Sequence, residues 1–191
     1  NHPGRYEPCV AYYLEGPSED GVRGNAACAP AAHFAGGRLG AKLGVAVDEY
    51  TFEAWCFNGL PADARAVTGY LFSRGEAVEQ AFAGEHFGIG GTDQEGAIQG
   101  KLFVYNGDER HEWLAGTTVV PVKTWLHVAL VRRGDDIRIF LNGKLDGAGR
   151  LACTLPEGAS GLFVGGRCDN RFNWEGKLCE AAVYPGALSV E

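Results

Sequence analysis

The chain has 191 residues, a formal net charge of −7, 29 glycines, six cysteines and no methionine. That length suits one well-cored domain and is short for two, and an acidic balance without any Lys/Arg-rich run offers no cationic face to nucleic acid. No apolar stretch approaches the roughly 18 residues that span a bilayer, and the sequence opens at Asn1 with no signal-like segment, so a domain excised from a larger polypeptide is expected.

In chain order, residues 1–8 read as loop and Val10 to Leu14 as a first strand, followed by a polar, Gly/Pro-punctuated loop from Gly16 to Pro30. Ala31 to Phe34 and Arg38 to Val47 suggest two short strands around the turn Ala35-Gly36-Gly37. Tyr50 to Phe57 is a strong, aromatic-rich strand. Asn58 to Thr68 reads as loop with room for one helical turn around Ala62 to Ala66. Gly69 to Ser73 and His86 to Gly91 read as strands flanking an acidic loop, and Lys101 to Tyr105 as another, closed by Asn106-Gly107-Asp108. Glu112 to Val119 is its expected neighbour.

Thr124 to Gly149 is the most informative stretch, with three antiparallel strands in succession. Trp125, His127, Ala129 and Val131 alternate with Leu126, Val128 and Leu130, so both faces of that strand can be buried. Arg133-Gly134-Asp135-Asp136 breaks the run, and Ile137, Ile139 and Leu141 then alternate with Arg138 and Phe140. Asn142-Gly143 is the dipeptide that best accepts positive φ at both centres of a type I′ hairpin. Leu162 to Gly165 and Lys177 to Tyr184 complete about a dozen short strands with turns every eight to twelve residues, the pattern of an all-β sandwich. No amphipathic helix of normal length interrupts them, which excludes a βαβ architecture.

The cysteines stand at positions 9, 28, 56, 153, 168 and 179. An even count in a Gly-rich β domain favours an oxidising compartment, hence an extracellular or periplasmic location. No C-x-x-C spacing suggests zinc. Cys56, inside an apolar strand, is expected to be a free core thiol; Cys9, Cys28, Cys153, Cys168 and Cys179 are disulfide candidates, with the pairing left open.

The ordered series YTFEAWC (Tyr50 to Cys56), LFSRG (Leu71 to Gly75), FGIG (Phe87 to Gly90), KLFVY, WLHVALV, IRIFLNG, LFVGG (Leu162 to Gly166) and GKLCEAAVYPGALS (Gly176 to Ser189) resembles the laminin-G-like, concanavalin-A-like jelly rolls of secreted and cell-surface proteins. FNGLP, GYLFSRG and FVGGRCDN are also similar to the version found in large secreted proteins of bacteria such as planctomycetes. The resemblance implies a two-sheet antiparallel jelly-roll sandwich filling residues 1–191, with the chain ends together on an edge. It also implies a module that binds glycans, proteins or lipids and commonly one Ca²⁺, although some relatives are glycoside hydrolases or polysaccharide lyases. Fold alone does not settle function.

Catalysis finds little support in the residues. Glycoside hydrolysis needs two carboxylates across the scissile bond, yet Glu76/Glu79, Asp93/Glu95 and Asp108/Glu109/Glu112 fall in loops or strand ends, and Glu53 stands alone on its strand. His127 shows no companions by sequence and reads as scaffold. No G-x-S-x-G or H-E-x-x-H motif occurs. The resemblance places a calcium-ligating Asp in the last strand, in a segment of the form G-x-I-D-E-V-x-I-Y, but Cys179 occupies that position, and a thiol is a poor calcium ligand. A bridge from Cys179 to Cys9 or Cys28 is the expected substitute. Asp93, Asp108 and Asp169 remain as acidic positions where calcium is possible.

Two loops combine rings with planar polar side chains, the make-up that stacks sugar C–H faces and reads hydroxyls. One carries Asn106, Asp108, His111 and Trp113; the other carries Arg167, Asp169, Asn170 and Trp174. The structural alternative is that the tryptophans plug the sandwich rims while the charges are solvated. The sequence thus points to a non-catalytic module that recognises a glycan or a partner protein within a larger secreted polypeptide, or to an assembly domain contacting neighbouring domains.

Overall fold

The computed structural model describes residues 4–17, 30–42, 48–77, 83–107, 110–153, 155–156 and 159–189. Fourteen strands occur among them: β1 (Arg5–Tyr6), β2 (Val10–Leu14), β3 (Ala31–Ala35), β4 (Leu39–Lys42), β5 (Glu49–Asn58), β6 (Val67–Gly75), β7 (Gly84–Gly90), β8 (Lys101–Asn106), β9 (Trp113–Val119), β10 (Trp125–Arg133), β11 (Asp136–Leu141), β12 (Lys144–Arg150), β13 (Gly161–Val164) and β14 (Glu175–Tyr184). They form two seven-stranded antiparallel sheets, ordered β1-β4-β13-β6-β7-β8-β9 and β12-β11-β10-β5-β14-β3-β2. This is the expected jelly-roll sandwich. No helix among the described residues is long and apolar enough to cross a membrane.

Alternation assigns the faces. Phe52, Ala54 and Cys56 of β5, Leu126, Val128 and Leu130 of β10, and Phe87 and Ile89 of β7 all enter one core between the sheets. On β10 the opposite face is partly covered as well, because Ala129 and Val131 pack with Phe140 and Ala187. Asn142 and Gly143 take φ of 50° and 74°, the left-handed pair the β11–β12 hairpin requires.

Three local differences have physical causes. Arg5–Tyr6 forms a short strand where loop was expected, pairing with Leu39 and Gly40, and the Glu7 carboxylate beside it takes the Arg38 guanidinium at 2.9 Å. Gln94–Gly96 forms a 3-10 turn whose start is capped by Asp93, whereas the room for a helical turn at 62–66 is used only by non-helical turns. The C-terminal strand β14 is not on an edge but lies between β5 and β3. Residues 43–47 and 18–29 of the expected strand and loop lie outside the described residues.

The core contains one buried charge cluster. Glu85 of β7, with no solvent exposure, accepts a 2.6 Å hydrogen bond from the Tyr50 hydroxyl of β5 and another from Arg132 Nε of β10. Arg74 of β6 lies 3.5 Å away. Arg132 Nη1 also donates to the carbonyls of Gly134 and Leu151. Burial and the adjacent carboxylate push the Tyr50 hydroxyl well above its ordinary value, so it stays a donor.

The register also decides among the cysteine expectations. No disulfide joins any two of the described cysteines, and Cys28 lies outside the described residues. Leu178 pairs with Ala32, whereas Cys9 accepts from the Ala35 amide. Cys9 and Cys179 are therefore about 13 Å apart along the strands at the usual rise, beyond the roughly 7 Å reach of a disulfide. The expected Cys9–Cys179 bridge is corrected on that ground. Cys168 is buried against Ser73 and Gly75 rather than at a bridging corner. Cys56 lies in the core as expected, its thiol pushed up to about 12 by burial.

Replacing Glu85 by Gln strands two buried guanidinium groups and is expected to cost about 3–5 kcal/mol in urea unfolding. Tyr50→Phe, which removes one hydrogen bond, is expected to cost about 1 kcal/mol. In the reduced native protein a thiol reagent at pH 8 is expected to label exposed Cys9 and to reach Cys56 only after denaturation, and a non-reducing peptide map should contain no Cys9–Cys179 peptide.

Candidate functional site

The face of the first sheet that points away from the core is unusually apolar. On β8, Leu102 and Val104 enter the core while Phe103 and Tyr105 point outward. The register continues this outer face across the strands: Ser73, His86, Tyr105 and Trp113 are successive partners on β6, β7, β8 and β9. Tyr70, Gly88, Phe103 and Ala115 form the adjacent row. Val67, Tyr70, Ile98 and Phe103 are buried in a cluster of their own, with Tyr105, Ala115 and Phe172 packed against it. A second layer must therefore cover this sheet.

The covering layer is the loop at residues 165–174. The Tyr70 amide donates to the Phe172 carbonyl at 3.0 Å, and the Trp174 amide to the Gly165 carbonyl at 2.8 Å. Asn173 Nδ2 donates to the Gly36 carbonyl and to Asn170 Oδ1. Gly69 permits the approach, since a Cβ there would stand 3.0 Å from the Trp174 ring. Asn170 and Phe172 take left-handed φ of 62° and 49°, which turns Phe172 back onto Tyr70.

The cover is incomplete, and a cleft of about 180 Å³ remains between this loop, β8, β9 and the 3-10 turn. Trp113 and His111 come from the first predicted loop, Arg167 and Phe172 from the second, and Tyr70, Tyr105, Asp93 and Gln94 line it as well, over an apolar floor of Val67, Ile98 and Phe103. The two loops nominated separately thus meet at one place. His111 lies nearly parallel to Tyr105, with ring centroids 6.2 Å apart and 9° between planes, and its Nδ1 is 2.7 Å from the Tyr105 hydroxyl. Trp113, 37% exposed, donates from Nε1 to Gln94 Oε1 at 3.2 Å.

Arg167 forms a two-pronged pair with Asp169, both contacts 2.8 Å, and its guanidinium lies 5.6 and 5.5 Å from the Tyr70 and Phe172 ring centroids. Burial by itself would raise the Asp169 carboxyl, but the hydrogen bonds and charge of Arg167, with the Arg171 amide, hold it below the ordinary carboxylate value. Burial pushes the Tyr70 hydroxyl well above its ordinary value. The cleft therefore offers ring faces, polar donors and acceptors including the Asp93 carboxylate, and a cation whose charge Asp169 already balances.

Two expected binding residues, Trp174 and Asn106, have structural roles instead. Trp174 is fully buried in the main core and plugs it. Asn106 is buried, with Nδ2 bonded to the Ala152 carbonyl and its amide to the Glu112 carbonyl. Asn170, though exposed, has its side-chain oxygen engaged by Asn173. Asp108 lies outside the described residues. Tyr105, Gln94 and Tyr70 were not nominated; the signal was the alternation in KLFVY, which puts Phe103 and Tyr105 on a face that cannot be left wet.

The described residues, which exclude Asp108, do not suit a calcium ion. Both Asp169 oxygens serve Arg167, Asp93 caps the 3-10 turn, and no three His, Cys, Asp or Glu side chains converge among the described residues. Ser73 Oγ and His86 Nδ1 lie 2.8 Å apart beneath the loop, but both residues are fully buried and Ser73 also accepts from the Cys168 amide, so the pair supports the cover.

Similar folds occur in domain 4 of AbnA, a GH43 extracellular arabinanase from Geobacillus stearothermophilus in complex with arabinotriose, at 17% identity and a TM-score of 0.69 over 98% of this chain and 84% of that one. A CBM40 of the Ruminococcus gnavus IT-sialidase, bound to α2,3-sialyllactose, shares 16% identity at a TM-score of 0.58 over 75% and 79% of the two chains. The native heptameric SAP-like pentraxin of Limulus polyphemus shares 15% identity at a TM-score of 0.58 over 95% and 78%. No curated protein matches the sequence. The Laminin_G_3 family model matches residues 35–191, and together with the two-sheet jelly roll this places the chain in the concanavalin A-like lectin/glucanases superfamily.

Proposed function

We propose that the domain is a non-catalytic glycan-binding module of a secreted, extracellular or periplasmic polypeptide, and that the cleft of the first sheet is its binding site. The observation that carries this reading is the convergence of Tyr105, His111 and Trp113, from β8, the loop that follows it and the start of β9, with Phe172 of the 165–174 loop around one small opening. A sugar presents C–H faces to such rings and hydroxyls to Gln94, Asp93 and the Tyr105 hydroxyl. Support also comes from the similar folds of modules bound to arabinotriose and to sialyllactose.

The charge distribution favours neutral sugars. Arg167 is the cation lining the cleft among the described residues, and Asp169 neutralises it, while Asp93 adds a negative charge at the rim. A uronate or sialate carboxylate would meet no unbalanced cation there.

On a glycan array, binding is expected among neutral oligosaccharides, and Trp113→Ala should weaken it at least tenfold by calorimetry, about 1.4 kcal/mol. Trp174→Ala should behave differently, costing about 3–5 kcal/mol of stability as a core truncation while the folded fraction keeps its affinity. Preferential binding of acidic glycans would count against the charge argument.

The depressed Asp169 carboxyl adds a pH signature. Its stabilising contribution is complete above the ordinary carboxylate pKa of about 3.9 and is lost as pH falls through the lower folded-state value. Thermal unfolding of the wild type should therefore show a stability loss below about pH 4 that is smaller in Asp169→Asn, which is already weakened at pH 7.

A further inference from the structure

The second sheet carries another set of rings and ionisable groups on its own outer face, on the opposite side of the sandwich from the cleft. Along β5, Glu53, Trp55 and Phe57 point outward, since Phe52, Ala54 and Cys56 between them enter the core. The register sets Trp125 beside Phe57 and His127 beside Trp55 on one flank, and Lys177 beside Phe57 on the other. The Phe57 and Trp125 ring centroids are 5.5 Å apart, those of Trp55 and His127 5.3 Å apart, and Lys177 Nζ stands 5.4 Å from the Phe57 centroid. With strands about 4.8 Å apart and alternate residues about 6.7 Å apart, the four rings are anchored in a patch of about 5 by 7 Å.

A polar cluster adjoins the rings. Glu53 lies 3.2 Å from His127 Nε2 through one oxygen and accepts from the Tyr184 hydroxyl at 2.7 Å through the other. Those contacts fix the carboxylate but use only part of its capacity, which is about four lone-pair sites. His127 therefore stands between Glu53 and Trp55, neighbours that the β5–β10 pairing brings to it.

The other end of this face is covered by the chain itself. The Thr51 hydroxyl donates to the Gly186 carbonyl and accepts from the Leu188 amide, and Ala187 packs on Ala129, Val131 and Phe140. Among the described residues no such segment crosses Trp55, Phe57, Trp125 and His127, each of which is partly exposed. The character of the patch selects among occupants. Protein interface cores are depleted in Lys and Glu, whereas here a lysine and a glutamate stand among the rings, still partly solvated. That mixture matches a sugar, whose ring faces are apolar and whose edges carry hydroxyls.

We propose that this face is a second glycan-binding surface, on which a sugar within an extended polysaccharide stacks over Trp55 and Trp125 while its hydroxyls bond Glu53 and Lys177. It stands apart from the cleft and does not depend on it. Rings borne on the outer face of a sheet can meet a chain lying along a solid, where a cleft would admit only ends or loose chains.

Co-sedimentation with microcrystalline cellulose, chitin and insoluble xylan tests the proposal. The wild type is expected to be retained on at least one of the three, with retention falling at least tenfold in Trp55→Ala/Trp125→Ala and several-fold in Lys177→Ala, which leaves the rings and the core untouched. Trp113→Ala in the cleft should be retained like the wild type, and the sheet variants should keep the cleft's affinity for soluble oligosaccharide. Retention of the wild type on none of the three solids overturns the proposal, as does undiminished retention of Lys177→Ala together with the double variant. Sedimentation velocity supplies a further check: a dimer that Trp125→Ala dissolves would assign the face to a second copy of the chain and sink the idea.

Discussion

Glu85 is a full charge placed where no water reaches, and burying a carboxylate is tolerable only with partners in good geometry. Those partners come from both layers of the sandwich: Arg74 shares its sheet, while Tyr50 and Arg132 reach across from the other. The contact is directional, whereas the Phe and Leu packing around it is not. Apolar side chains accept many relative placements of two sheets; one carboxylate bonded to a phenol and a guanidinium accepts few. Arg132 extends the constraint to the carbonyls of Gly134 and Leu151, tying the β10–β11 turn and the end of β12 to the same point.

The candidate site depends on that placement. Phe87 and Ile89 of β7 face the core beside Glu85, so His86 and Gly88 between them must face outward, into the rows that hold Tyr105 and Phe103. An apolar outer face requires cover, and the 165–174 loop supplies it incompletely. The cleft is what the cover leaves. Its walls are well held: Arg38 donates to the carbonyls of Arg167 and Cys168 and lies 4.4 Å from the Phe163 centroid, while Asn173 ties the loop to Gly36. A ligand entering such a site orders little of the protein, so less of its contact energy is lost to entropy.

The strand order was legible because period-two alternation and turn residues are local signals. Asn142-Gly143 announced its hairpin, and YTFEAWC its strand, with accuracy of a residue or so. Roles within the loops were not legible in the same way. Trp113 and Trp174 have similar polar neighbours in sequence, yet one is part-exposed and the other lies in the core. The difference arises from Gly69, distant in sequence, whose missing side chain lets the Trp174 backbone settle on β6. Asn106 likewise looked like a sugar ligand until the carbonyl of Ala152, 46 residues away, claimed it. The cleft itself is a product of long-range register, since Tyr105 meets His111 and Trp113 only once β8 and β9 are paired.

Glu53 and His127 make the same point on the other sheet. Each was alone on its strand by sequence, and the β5–β10 pairing sets their strands side by side with Tyr184 of β14 closing the cluster. Two sheets each exposing rings on their outer faces would be a liability if the patches were large and unbroken. Here each patch is interrupted by charge: Arg167 and Asp169 on one side, Glu53 and Lys177 on the other. Interruption of this kind lowers the gain from burying the face against another protein, because desolvating those groups offsets the apolar contribution. It leaves the rings able to meet a ligand that brings its own hydroxyls, which is the chemistry proposed for both faces.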